Sequence, residues 1–280
     1  MNVRWQYKIG EIGTKYSPMR RKTEFGVIHL TDGEGDTVRI LGSMFDNALH
    51  MDENIKKMVG KARPKITALL RCRRFYDRAN MINQYKTHVL FLLEGNPGAH
   101  YHACDTVLGP LERIQTSFLK QMDMDTGFAF LGYNLAPLST RRDIAMLGFI
   151  YKAVHGQAHS DIRKLFPRSD LVSHSYETKF QAHRNSLQLL EFRPGTQHAL
   201  LRRSLFGLTR VWNRLPEQVV QATTVTSMQK MLTAMVRAAC SQNQKDWAET
   251  FSPRSALLRE SPHFEQLLYK SVKCDGQWYK

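Results

Sequence analysis

Apolar and polar positions along the chain change period, and those changes divide it into elements. Up to about residue 45 the apolar positions come in short β-rich runs, GVIHL and DTVRILG, separated by the acid and glycine cluster DGEGD. This pattern predicts extended structure and a small hairpin. From Met51 the period becomes helical: Ile55, Met58, Val59, Ala62, Ile66, Leu69 and Leu70 share a face, with Asp52 as a candidate N-cap. Pro64 interrupts that run. Its missing N–H and the clash of its ring with the preceding turn predict either a kink or a restart with Pro64 at the first helical position.

Further helical stretches are predicted at about 79–94, 105–122, 140–155 and 226–240. The second of these places Val107, Leu108, Leu111, Ile114, Phe118, Leu119 and Met122 on one face, the pattern of a helix packed in a bundle. The third opens with Thr140 followed by Asp143, a relative of the capping box, and ends at Gly156, where a left-handed C-cap is sterically free. Periodicity dissolves between about 167 and 196, in PRSDLVSHSYETKF and FRPGTQ, so a linker and a domain boundary are expected there. The chain reads as mainly α: a β element over 1–50, a helical domain over 51–166, a linker over 167–196 and a smaller helical tail over 197–280.

Composition adds a direction to this outline. The 280 residues are enough for one or two domains, and 42% hydrophobic with 10% aromatic residues is too much for a disordered chain. Forty Lys and Arg against twenty-five Asp and Glu leave a net charge of +15, which favours polyanionic partners and disfavours a metabolic enzyme for small neutral substrates. The longest apolar run, Val89 to Leu93, is far short of the roughly 20 residues that span a bilayer, so no membrane partner is expected. The N-terminus lacks an apolar signal region, and an intracellular location, nucleus or cytoplasm, is the expectation. Cys72, Cys104, Cys240 and Cys274 form no CxxC pair and read as reduced thiols.

The sharpest electrostatic feature lies between Lys56 and Arg74. Lys56, Lys57, Lys61, Arg63, Lys65, Arg71, Arg73 and Arg74 fall there with no acidic residue among them. With the apolar stripe packed inward, these cations face solvent and suit contact with phosphates, while Phe75 and Tyr76 directly after them are candidates for stacking on unpaired bases. The competing reading is a solvated helix face with Phe75 and Tyr76 buried. A second basic group, Arg202, Arg203, Arg210 and Arg214, is interleaved with Leu201, Leu205, Phe206, Leu208, Val211 and Trp212, and reads as one amphipathic surface helix. His100, His102 and Cys104 in HYHAC would converge only if that segment were a strand, and ordinary packing is the better reading. Asp123 and Asp125 read as solvated acids in a turn between helices rather than metal ligands. No nucleophile elbow, phosphate-cradling glycine loop or His/Cys dyad is recognisable, so no catalytic residue is assigned and no metal or other cofactor is expected.

Several stretches in order resemble the part of a non-LTR (LINE-type, jockey-like) retrotransposon reverse transcriptase that follows its catalytic palm. RILGSMFDNALHMDENI, through Leu41, Gly42, Asp46, Leu49 and Ile55, is similar to the segment with which those polymerases leave the palm and enter the thumb. KARPKITALLRCRRFY is similar to the basic thumb helices, and QYKTHVLFLLEG with HYHACDTVLGPLERIQTSFLK to the next pair. NLAPLSTRRDIAMLGFIYKAVHG and RRSLFGLTRVWNRLPEQVVQATTVTSMQKML follow, the latter close to a "WNxLPxxVV" tail. The resemblance covers roughly residues 38 to 236 and implies a palm-exit remnant, a helical thumb-like domain and a tail. It also implies, as partners, RNA or an RNA/DNA duplex and the missing palm of an RNA-directed DNA polymerase. One departure bears on activity. The family holds Mg with palm carboxylates that include an Asp-Asp turn, and this chain has no Asp-Asp dipeptide, so no catalytic residue carries over. The expectation is a polymerase fragment that grips nucleic-acid backbone without a reaction centre of its own. The alternatives are a helical protein-interaction module, or a relic of a retroelement without function.

Overall fold

A computed structural model describes residues 37–46, 48–169, 183, 185–189, 196–254 and 264–275, with backbone only at 20–23, 26–29, 196–198 and 272–275. Among these the chain is mainly α-helical, preceded by two antiparallel hairpins. β1 (Arg20–Thr23) pairs with β2 (Gly26–His29), and β3 (Thr37–Ile40) with β4 (Ser43–Asp46). The two runs expected as strands are strands, but each pairs with its own near neighbour and not with the other. The DGEGD cluster lies outside the described residues; β3 begins at Thr37, directly after it. β3 and β4 turn through Leu41 and Gly42, both at positive φ (49° and 88°), a turn whose twist matches that of the strands.

α1 (Asp52–Arg71) follows, and its start is set from outside the helix. The Asp46 carboxylate accepts the N–H groups of His50 (2.9 Å) and Met51 (2.7 Å), while Asn54 Oδ1 accepts the N–H of Met44 at 3.1 Å. The N-cap is therefore Met51, at φ 71°, and not Asp52 as expected; Asp52 and Glu53 lie in the first turn, where carboxylates favour the helix dipole. Nor does α1 restart at Pro64. The helix runs through it; Gly60, whose carbonyl loses its donor there, and Pro64 are both exposed, so water can take the freed acceptor.

Ile55, Val59, Ala62 and Ile66 of α1 pack toward α5 (Asp105–Gln121). The stretch expected at 79–94 is α2 (Arg78–Tyr85), a π-helical turn over Lys86–Leu90 and α3 (Phe91–Leu93). It contributes Met81, Ile82, Tyr85, Val89 and Leu93 to the same core, with Tyr85 stacked on Phe118 at 4.4 Å between ring centroids. The core extends through α4 (Pro97–His100) and the start of α6 (Thr126–Tyr133).

A second core forms around α7 (Leu138–Val154), with α8 (Ser160–Lys164), α10 (Leu208–Trp212), α11 (Glu217–Val220), α12 (Val225–Ser241) and α13 (Phe264–Asp275) about it, and α9 (Thr196–Arg203) stands before α10. The expected capping box of α7 is not formed. Thr140 Oγ1 instead donates to the Ala248 carbonyl at 2.7 Å, Asp143 accepts from the Tyr101 hydroxyl at 2.5 Å, and Pro137 stands at the N-cap. The other end is as expected: Gly156 sits at φ 75°, and the N–H of Gln157 donates back to the Lys152 carbonyl at 2.8 Å. Within 167–196, Arg168 bridges to Leu187 and the Trp212 indole donates to the Asn185 carbonyl at 3.0 Å, which lays those residues against α10. The two cores meet through three arginines. Arg141 pairs with Glu94, Arg142 with Glu112 (2.6 Å), and Arg254 with Asp105 (2.5 Å).

Candidate nucleic-acid interface

The inward stripe of α1 leaves a wide solvent face, and helical geometry sorts its cations. Lys57, Lys61 and Lys65 recur every four residues and form one row, about 6 Å apart along the axis. Lys56 and Arg63 lie on the other flank, with Arg71 at the C-terminal end, followed by Arg73 and Arg74 in the 3₁₀ turn Arg73–Phe75. All are exposed except Lys57, which is half-buried. Among the described residues only Lys56 of the eight joins an ion pair, with Glu53 at 2.8 Å, and that contact is open to solvent and weak. Among the described residues none of the other seven joins an ion pair, so these cations stand open to solvent.

The aromatic residues at its end are open to solvent. Phe75 is 71% exposed and Tyr76 45% exposed, which overturns the alternative that both are buried. The Arg74 guanidinium lies 4.9 Å from the centroid of the Phe75 ring. A similar arrangement, unforeseen in the sequence, occurs at Phe91: its ring is 53% exposed with the Lys65 ammonium 5.4 Å from its centroid. The signal for it was the run Val89 to Leu93 itself, since five successive apolar residues on a helix cannot all face one core.

The other candidates fare differently. Arg202, Arg203, Arg210 and Arg214 do not share one helix, because the chain turns a corner between α9 and α10. Gly207 lies so close to the preceding backbone that a Cβ there would meet the Arg202 carbonyl oxygen at 1.9 Å. Arg203 donates to the His102 carbonyl at 3.3 Å, and of the four only Arg210 is exposed. Leu208, Val211 and Trp212 are buried, as their spacing implied.

HYHAC is helix and turn rather than strand, and its three side chains diverge in role. His100 is fully buried, His102 Nε2 lies 3.0 Å from the Leu49 carbonyl, and Cys104 stands before α5 with its Sγ 3.0 Å from Thr106 Oγ1. Asp125 caps α6 by accepting the Phe128 N–H at 2.9 Å, and Asp123 sits in the turn at φ 51°. Among the described residues no three His, Cys, Asp or Glu side chains gather as a metal site, and no helix is long and apolar enough to cross a membrane. Comparison with protein-family models, curated proteins and solved structures yields no match.

Proposed function

We propose that this chain holds RNA or an RNA/DNA duplex by its phosphate backbone, as the thumb-like part of an RNA-directed DNA polymerase from a non-LTR mobile element. The reading assigns it no catalytic residue; the chemistry would belong to a palm elsewhere in the polymerase. The observation that carries the proposal is the solvent face of α1 and the turn after it, where seven cations stand without an acidic partner among the described residues. The resemblance to thumb helices over the same residues supports it.

Physically, ammonium and guanidinium groups on a rigid helix replace the counterions condensed on a polyanion, and the release of those ions drives binding without reading sequence. The row Lys57, Lys61 and Lys65, spaced by four residues, offers regularly spaced contacts to one strand. The test is a titration of an RNA/DNA hybrid across salt concentrations. Log affinity is expected to fall linearly with log salt, at about 0.7–0.9 per phosphate neutralised. Neutralising Lys57, Lys61 and Lys65 together to glutamine should weaken binding uniformly across sequences and reduce the slope by about 2–3, roughly 0.7–0.9 for each lysine. A flat salt response, or an unchanged slope in the triple variant, refutes the proposal.

A further inference from the structure

The cationic face ends at an open cleft of about 530 Å³, within the size range of small-ligand sites. Arg73, Tyr76, Asp77 and Arg78 line it from the link between α1 and α2, and Gln121 and Asp123 from the end of α5. Three observations define what such a cleft accepts. Tyr76 leaves an aromatic surface in solvent at a concave site, which suits a flat apolar partner. Arg73 and Arg78 are exposed and form no ion pair among the described residues, although two carboxylates line the same cleft, so both remain available to an external anion. Asp77 is committed to the fold, accepting the Asn80 N–H at 2.7 Å as the N-cap of α2. Asp123 and the Gln121 amide have no such commitment in their side chains, and offer an acceptor for hydroxyl or N–H donors together with an amide that both donates and accepts.

A flat ring, an anion and polar edges together describe one nucleotide. A paired base does not qualify, because its faces are covered within the duplex. We infer that the cleft seats a single unpaired nucleotide of the strand whose backbone lies along α1. Its base stacks on Tyr76, its phosphate meets Arg73 and Arg78, and its sugar hydroxyl or base edge meets Gln121 and Asp123. This inference rests on the reading of α1 as a backbone-binding surface, and it adds a preference for a strand end, bulge or overhang over uninterrupted duplex.

The experiment uses the full chain and two RNA/DNA hybrids at one salt concentration, one blunt and one with a three-nucleotide RNA overhang carrying 2-aminopurine. The overhang is expected to tighten binding at least about fivefold, the effect of a single stack, and to change the fluorescence of the base analogue. Tyr76→Ala should abolish both the advantage and the fluorescence change, while Tyr76→Phe retains them. Neither variant should alter blunt-hybrid affinity or its salt slope, which also reports that both are folded. Arg78→Ala, at an exposed position, should halve the advantage or reduce it further. Equal affinity of the wild type for both hybrids, or an advantage that survives Tyr76→Ala, overturns the inference and leaves the backbone reading standing. If the wild type binds neither hybrid, the reading of α1 fails first and this inference with it.

Discussion

Asp143 and His100 lie enclosed where the two cores meet, and folding moves their proton affinities in opposite directions. Burial pushes the Asp143 carboxyl up to about 7, against the opposing effects of the Tyr101 hydroxyl, Arg142 and Arg254, with Glu112 adding to the rise. Burial, then Arg142 and His102, pushes His100 down to about 4, and among the described residues neither of its ring nitrogens has a hydrogen-bond partner. An acid raised by folding contributes stability that is complete below its unfolded pKa of about 3.9 and is lost as pH climbs through its folded value. The lowered histidine does the reverse, contributing above about 6.5 and losing that contribution as pH falls toward 4. Asp143→Asn keeps an oxygen for Tyr101 but does not titrate, so its stability relative to wild type should rise from about pH 4 and level off above about pH 7 in urea unfolding. A pH-independent difference would contradict the burial argument. At this scale the charges of Lys56 to Arg74 were legible in the sequence because such groups rarely lose solvent. The environments of Asp143 and His100 were not, since each depends on residues tens of positions away.

Among the elements, the β3–β4 hairpin carries a local conflict. Leu41 is held at φ 49° with its side chain 95% exposed, so a bulky apolar residue adopts a left-handed backbone and contributes no packing in return. Asparagine tolerates that conformation and is favoured before glycine in such turns. Leu41→Asn should therefore stabilise the chain by roughly 0.5–1 kcal/mol, measurable as a raised urea midpoint at constant slope. Loss of stability would contradict the strain argument. The helices α5, α7 and α12 lie close to where periodicity put them, because an amphipathic repeat is a property of consecutive residues. Their starts were less legible. Asp46 serves the entrance of α1 from a hairpin, and Thr140 leaves its expected cap to bond Ala248, 108 residues away.

At the scale of the whole molecule, three arginines join the core built from 51–138 to the core around α7. Arg254 is the most telling of them. It donates to the carbonyls of Ala103 (2.9 Å) and Tyr101 and to Asp105, fastening the segment after α12 to the link before α5. Arg254→Ala leaves both carbonyls without this donor and should cost about 2 kcal/mol or more. If the junction couples the cores, the variant should also broaden the unfolding transition; a sharp transition at unchanged midpoint would argue that the cores are joined mainly by apolar contact. The sequence alone determined the helical character, the main helical spans and the acid-free run of cations, because period and charge are written in neighbouring residues. Only the tertiary structure decided that Phe75, Tyr76 and Phe91 face solvent, that α9 and α10 part at Gly207, and that the end of α5 meets the link after α1 to form a cleft. Exposure and concavity arise from what packs against a residue, and those partners are distant along the chain.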